Sequence, residues 1–353
     1  MEKQQTLVHL SWSLGVGGIE TLLVGIANAQ AASGCQVCIL VVNDLVDEGL
    51  LKSVSPAVRV ILLRRRPGSK NPLALIRLNR CLRRLHPDVI HCHVGSLIRV
   101  LARPLWQKCV FTRHSVSSQG EVSRTWLQRY RKVFAISEAV RMDFEQRYRI
   151  PATVVPNGIP TGAIARRTYR RPDPQVAPVR LVTVGRLLIE VKGQDILLEA
   201  MTRLPDPALT LDIIGDGPDR GKIEALIARY GLGDRVLLRG NLPTSALYAD
   251  LQRYDAFVMA SRTEGFGLSV AEAMAAKLPV VVPAIEGPRE LVREGRYGHL
   301  FASGDPEACA AALRALLDDY DSEAALDEAS RYIRDHYALE RTALRYLEEY
   351  ELR

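Results

Sequence analysis

Aromatic residues are scarce in this chain of 353 residues: Phe, Trp and Tyr together make up 6%. Its six cysteines are too few and too unevenly spaced for the disulfide scaffold that small secreted domains rely on. No apolar run reaches the ~18 residues of a membrane span, and there is neither a low-complexity tract nor a short repeat. The opening MEKQQTLVHLSWS alternates like a strand and runs into a glycine-rich loop, which argues against a secretory leader and for the cytosol. Clustered metal ligands are also lacking. Cys35 and Cys38 have redox spacing, but CILVV reads as buried strand, where a thiol is inert. His91 and His93 share one face of a strand with no further ligand nearby in sequence. The one D-x-D string, Asp319-Tyr320-Asp321, lies in a polar segment and reads as solvated surface. No metal site is therefore expected.

What is present is the composition of a globular α/β protein, 47% hydrophobic and 25% charged. Its net charge of +7 is unevenly spread. Residues 1–165 carry 22 Lys and Arg against 10 Asp and Glu, and residues 166–353 carry 25 against 30. An anionic partner is thus expected for the first half only. Nucleic acid is disfavoured, because the basic region lacks interleaved aromatics and any recognised module.

Short β-rich runs alternate with amphipathic stretches: QTLVHLSW, QVCILVV, VRVILL, DVIHCH, KCVFTRH, KVFAIS and ATVVPN. After the Pro- and Arg-rich PTGAIARRTYRRPDPQVAP the rhythm restarts with VRLVTVG, LTLDIIG, RVLLRG, AFVMAS and PVVVPA. Such alternation specifies βαβ units and parallel sheets. The expected organisation is an N-terminal domain over 1–165, a linker over 166–178, a second domain over 179–335, and a C-terminal helix over 336–353 returning to the first domain. Ligands of open α/β sheets gather at the carboxyl ends of strands, and the distinctive residues lie there. Gly15, Gly17 and Gly18 follow the first run, His114 follows KCVFT, and Gly185-Arg186 ends VRLVTVG. Gly215 and Gly217 follow LTLDII, and Glu264 comes soon after AFVMAS.

Residues 263–281, TEGFGLSVAEAMAAKLPVV, place Glu264 and Glu272 on either side of a Gly-rich approach to a helix, the kind of N-terminus that attracts anions. Arg186 and Lys192 supply cations suited to phosphate oxygens just after a strand. With the glycine turn at 215–217 and E-G-F-G-x4-E, this half resembles the donor half of glycosyltransferase family 4. GVGGIETLLVGIANAQAASG, DVIHCH, TRH, AISEAVRMDF and VVPNGIP carry the resemblance through the first half, so it covers essentially the whole chain.

The resemblance implies a GT-B fold, two Rossmann-like domains facing across a deep cleft, and metal-independent transfer of a hexose with retention. The co-substrate it implies is a nucleotide sugar, a UDP-sugar by default with a GDP-sugar as the alternative, and no separate cofactor. By position, Arg186 and Lys192 would hold the diphosphate, Glu264 the sugar hydroxyls and Glu272 the ribose diol. Gly265 and the amides of Phe266, Gly267 and Leu268 would add contacts at the helix N-terminus. Gly17 and Gly18 would admit the phosphates and acceptor, and His114 would lie near the transferred sugar. The base would rest against backbone near Gly240, Asn241, Leu242 and Pro243, and Gly215 would add a donor contact. Two departures stand out: Ser115 follows the histidine where the family often has Asp, and the single Gly287 precedes Glu290 where many members have a Gly-Gly loop.

PLALIRLNRCLRRLH sets Leu75, Leu78, Leu82 and Leu85 on one side and Arg77, Arg80 and Arg84 on another, with Arg64-Arg65-Arg66 just ahead. It is either a crossover helix with solvated arginines or a basic face for anionic lipid or a lipid pyrophosphate. The resemblance favours the second, a saccharide or lipid-linked acceptor of cell-surface polysaccharide or lipopolysaccharide synthesis, met at the inner face of the cytoplasmic membrane. A GT-B nucleotide-sugar epimerase, a glycogen-type enzyme and a non-catalytic nucleotide-sugar-binding protein are the alternatives.

Overall fold

The structure is a computed structural model that describes residues 5–15, 17–116, 122–204 and 209–351. Val16 lies outside them. The chain divides into two compact units, residues 1–160 with 337–353, and residues 161–336.

The first unit is built on β1 (Thr6–Ser11), β2 (Gln36–Asn43), β3 (Val58–Arg65), β4 (Val89–Cys92), β5 (Cys109–Arg113), β6 (Lys132–Ala135) and β7 (Thr153–Val154). They form one parallel sheet in the order β3-β2-β1-β4-β5-β6-β7. β1, β2 and β4 are buried almost throughout, as a sheet covered on both faces requires. Cys38 sits in that core as a free thiol, and burial pushes it up to about 12. The helix Leu339–Glu349 packs against the helix Gly18–Ala32. Gly25 permits the approach, since a Cβ there would fall 2.6 Å from Leu339 Cδ2. Tyr346 and Tyr350, in and just beyond the C-terminal helix, enter the core with Leu23, Ile26 and Phe134.

The second unit holds β8 (Val179–Val184), β9 (Leu209–Ile214), β10 (Val236–Gly240), β11 (Ala256–Val258), β12 (Val280–Pro283) and β13 (His299–Phe301). These pair in parallel in the order β10-β9-β8-β11-β12-β13. β13 was not among the expected runs, because three residues are too few to show a period. Residues 166–178, expected as a linker, belong to this unit and are pinned to it. Arg167 is buried, its amide donates to Ala276 O, and its guanidinium pairs with buried Asp255 at 3.0 Å. A charge cannot be buried without such a partner, and nothing in the local pattern announces Asp255.

In each sheet the order reverses between two adjacent inner strands, β1 and β4 in one, β8 and β11 in the other. That reversal parts the flanking helices and opens a crevice at the carboxyl edge.

Candidate functional site

In the second unit, β8 runs into Gly185-Arg186 and the short helix Ile189–Lys192 follows. Gly193 ends that helix at φ +62°, and a Cβ there would lie 1.9 Å from Ala260 O. Glycine thus sets Lys192 directly against the segment after β11. Lys192 Nζ donates to Glu264 Oε2 at 2.5 Å. Arg186 is exposed, and its guanidinium has no ion-pair partner among the described residues; its carbonyl accepts from Gln194 Nε2 at 2.9 Å.

The loop carrying Glu264 is fastened by residues that sequence reasoning missed. Arg262 forks onto Asp195 at 2.8 and 2.7 Å, and the Arg262 amide donates to Val191 O. These bonds hold Glu264 to the same turn that presents Lys192. Gly287 crosses beneath: a Cβ on it would come within 2.8 Å of Glu264 O and 2.7 Å of Phe266 N. The segment holding it, anticipated as a loop, is the helix Glu286–Leu291, with Glu290 in its last turn.

Gly265, Phe266 and Gly267 are buried and lead into the helix Leu268–Ala275, with Gly267 at φ +98° as its N-cap. Glu272 lies one turn in and accepts from Tyr248 Oη at 2.9 Å. Glu272 is half-buried, and desolvation pushes its carboxyl up to about 7 despite the Tyr248 bond, which acts the other way. Tyr248 was not anticipated, since it lies 24 residues away with no motif around it. Gly215 N donates to Gly240 O at 2.8 Å, which brings the turn after β9 beside exposed Asn241 and half-buried Leu242. Arg186, Lys192, Glu264 and Glu272 therefore all belong to segments at the carboxyl edge of β8 and β11. Asp321, read as solvated, is partly buried, with His299 Nε2 at 3.3 Å from its carboxylate.

In the first unit, Gly17 caps the helix Gly18–Ala32 just beyond β1. His114 directly follows β5, with its Nε2 3.3 Å from His93 Nδ1. His91 and His93 are joined by a third imidazole from the neighbouring strand: His9 lies in register with His91, and the three rings offer nitrogens within 4.8 Å of one another. The pair has no further ligand nearby in sequence; the parallel sheet supplies the third imidazole from a strand distant in sequence.

The basic helix runs over Leu73–Leu85, burying Leu78 and Leu82, with Leu75 and Leu85 partly covered. Arg77, Arg80 and Arg84 are exposed, as are Leu73 and Ile76. Arg64, Arg65, Arg66 and Arg77 line one open hollow, while Arg80 and Arg84 fall outside it. Arg65 is tied internally to Asn43 and to Ser69 O, so it is not a free surface cation like Arg64 and Arg66. Among the described residues, no helix is long and apolar enough to cross a membrane.

Two family profiles match the chain, "Glycosyltransferase Family 4" over residues 16–163 and "Glycosyl transferases group 1" over residues 169–332. A glycogen synthase of Mycobacterium tuberculosis is 32% identical over 274 residues, 70% of this chain and 65% of the relative. A lipopolysaccharide core biosynthesis mannosyltransferase, LpcC of Rhizobium leguminosarum, is 28% identical over 269 residues, 71% of this chain and 72% of the relative. The matches to the first of the curated relatives reach only 30% to 65% of those relatives' own length. The crystal structure of Anabaena HepE in complex with UDP and glucose superposes with a TM-score of 0.80 at 22% identity, over 98% of this chain and 99% of that one. This likeness shows the fold, GT-B.

Proposed function

The chain belongs to the glycosyltransferases of family 4 and group 1, and from that premise we propose that it moves a hexose from a nucleotide sugar to a saccharide or lipid-linked acceptor of cell-surface polysaccharide or lipopolysaccharide synthesis. The observation that carries this reading is the Lys192–Glu264 pair at the carboxyl edge of β8 and β11, with exposed Arg186, whose guanidinium has no ion-pair partner among the described residues, directly after β8. Groups suited to an anion and groups suited to hydroxyls would then serve one ligand at that edge. A UDP-sugar is the first candidate donor, in keeping with UDP in the HepE complex, and a GDP-sugar the second.

Arg186 and Lys192 would take the diphosphate, whose negative charge grows as its bond to the anomeric carbon breaks; cations already in place there stabilise the transition state. Glu264, steadied by Arg262 and Asp195, would accept bonds from sugar hydroxyls, and Glu272 from the ribose diol. Gly265, the amides of Phe266, Gly267 and Leu268, and the turn at Gly215, Asn241 and Leu242 would complete the donor seat. Gly17, Gly18 and His114 would serve the acceptor side and the transferred sugar. Retention follows if the departing phosphate oxygen takes the acceptor's proton while the new bond forms on the same face, with no metal required. The exposed Arg64, Arg66, Arg77, Arg80 and Arg84, beside exposed Leu73 and Ile76, suit an anionic membrane surface or lipid pyrophosphate.

A thermal-shift screen of nucleotide sugars, followed by assay of nucleoside diphosphate release and product analysis, tests the reading. Release of the diphosphate with a new glycosidic bond is expected. Binding without turnover, or conversion to an isomeric nucleotide sugar, would replace it with a binder or an epimerase.

A further inference from the structure

The first unit holds a line of buried side chains for which the proposed chemistry has no use except at its last member. Gln30 lies on the helix Gly18–Ala32, His9 in β1, His93 just after β4 and His114 just after β5. Gln30 Oε1 is 2.7 Å from His9 Nε2, His9 Nδ1 is 3.0 Å from His93 Nε2, and His93 Nδ1 is 3.3 Å from His114 Nε2. The His93 ring lies edge to edge with those of His9 and His114, its plane within 30° and 23° of theirs and the centroids 5.3 and 5.5 Å apart. Gln30 and His9 are wholly buried and His93 is 3% exposed. At the end of the line, His114 Nδ1 is buried and has no hydrogen-bond partner among the described residues.

We propose that Gln30, acting through His9 and His93, is a positioning residue that fixes the tautomer of His114, leaving Nδ1 as a bare acceptor for a hydroxyl of a bound sugar. The sugar clause rests on the function proposed above; the tautomer itself does not.

A neutral imidazole has one N–H and one lone pair, so a file of neutral rings can carry its hydrogen bonds in only one sense at a time. Burial keeps the rings neutral: it pulls His9 and His114 down to about 4 and His93 well below its ordinary value. The amide oxygen of Gln30 can only accept. His9 must then donate from Nε2 and accept at Nδ1, His93 must do the same, and His114 must spend its own Nε2–H on His93. Its Nδ1 is left without a proton and without a partner, where a donor is wanted. The chain's first sense of direction thus comes from an amide 84 residues ahead of His114 in sequence.

His91 stands outside the line. Its nitrogens meet Tyr350 Oη and Thr112 Oγ1, each at 2.7 Å, and hydroxyls donate or accept as required, so they impose no sense on it. Together these bonds occupy both nitrogens of His9, His91 and His93. The spacing that would suit a metal is therefore already spent on hydrogen bonds.

The test is the nitrogen spectrum of the intact protein labelled with 15N at its seven histidines, recorded at neutral pH without ligand, in which long-range couplings distinguish the two tautomers. His9, His93 and His114 are each expected to carry the proton on Nε2. A His114 with its proton on Nδ1, as an inverted Gln30 amide would impose, or an even mixture, overturns the proposal. Gln30→Met, close in shape but only a weak acceptor, should turn the single His114 form into a mixture. A pure Nε2–H form in that variant would show that Gln30 does not set it. Should Gln30→Met not fold, His93→Phe breaks the line at its middle and carries the same expectation. Addition of UDP-glucose should then shift the His114 Nδ1 resonance. If that resonance stays put while the tautomers are as expected, the sugar clause and its donor reading fall and the relay stands.

Discussion

Glu272 offers a prediction whose size follows from its surroundings. Burial pushes its carboxyl from an ordinary 4.5 to about 7, against the pull of the Tyr248 hydroxyl. If ribose hydroxyls donate to this group, the bound state needs the carboxylate, and binding must expel a proton whenever the free protein holds one. An acid whose value is high when free and low when bound gives affinity that is lost as pH falls through the free value. With the free value near 7, the ionised fraction drops from roughly three quarters at pH 7.5 to roughly one eleventh at pH 6.0. Affinity for a nucleotide sugar should therefore weaken about eightfold over that interval, or about 1.2 kcal/mol. A nucleotide sugar is the right probe because, unlike a free diphosphate, it has no terminal phosphate to titrate. Calorimetry in two buffers of differing ionisation heat should show up to about one proton released per ligand at pH 6. In Glu272→Gln both the pH dependence and the proton release should vanish. Unchanged affinity between pH 7.5 and 6.0 in the parent protein, with no proton released, would refute the reasoning. The free protein should show the complementary trend. A raised acid costs stability as pH climbs from about 4.5 to about 7, here by at most about 3.4 kcal/mol at 1.36 kcal/mol per unit, and Glu272→Gln should escape that loss in thermal melts.

Other outcomes follow from the same geometry. Arg186→Ala, Lys192→Ala and Glu264→Ala should each lower transfer by at least ~100-fold with melting temperatures little changed; near-normal turnover in Glu264→Ala would remove it from the donor site. Gly193→Ala should destabilise by at least about 2 kcal/mol, since the left-handed backbone costs about 1–2 kcal/mol and its methyl would meet Ala260 O; a melting temperature within a degree of the parent would contradict this. Replacing Arg77, Arg80 and Arg84 by Ser should reduce co-sedimentation with phosphatidylserine vesicles, about 1 kcal/mol per residue at low salt, without altering donor affinity; unchanged sedimentation would return the helix to a purely structural role.

Much of this protein is written locally. Twelve of the strands follow from β-rich runs bounded by turns, because a strand's period lies within its own half-dozen residues. The order of glycines, cations and carboxylates from Gly185 to Glu272 is equally local, and it identifies the family. Which groups touch is another matter. A parallel sheet ordered β3-β2-β1-β4-β5 sets His9 against His93, 84 residues apart, and His114 beyond it; no window of sequence spans that. Tyr248 on Glu272, Asp195 on Arg262, and Asp255 beneath Arg167 are likewise decided by packing. So is the difference between Arg65, consumed inside its own loop, and its neighbours Arg64 and Arg66. Residue types and their spacing determine which chemistry the chain can carry, because secondary structure and motif are short-range. Protonation, tautomer and charge pairing depend on what is removed from water and what replaces it, and only the tertiary structure decides that.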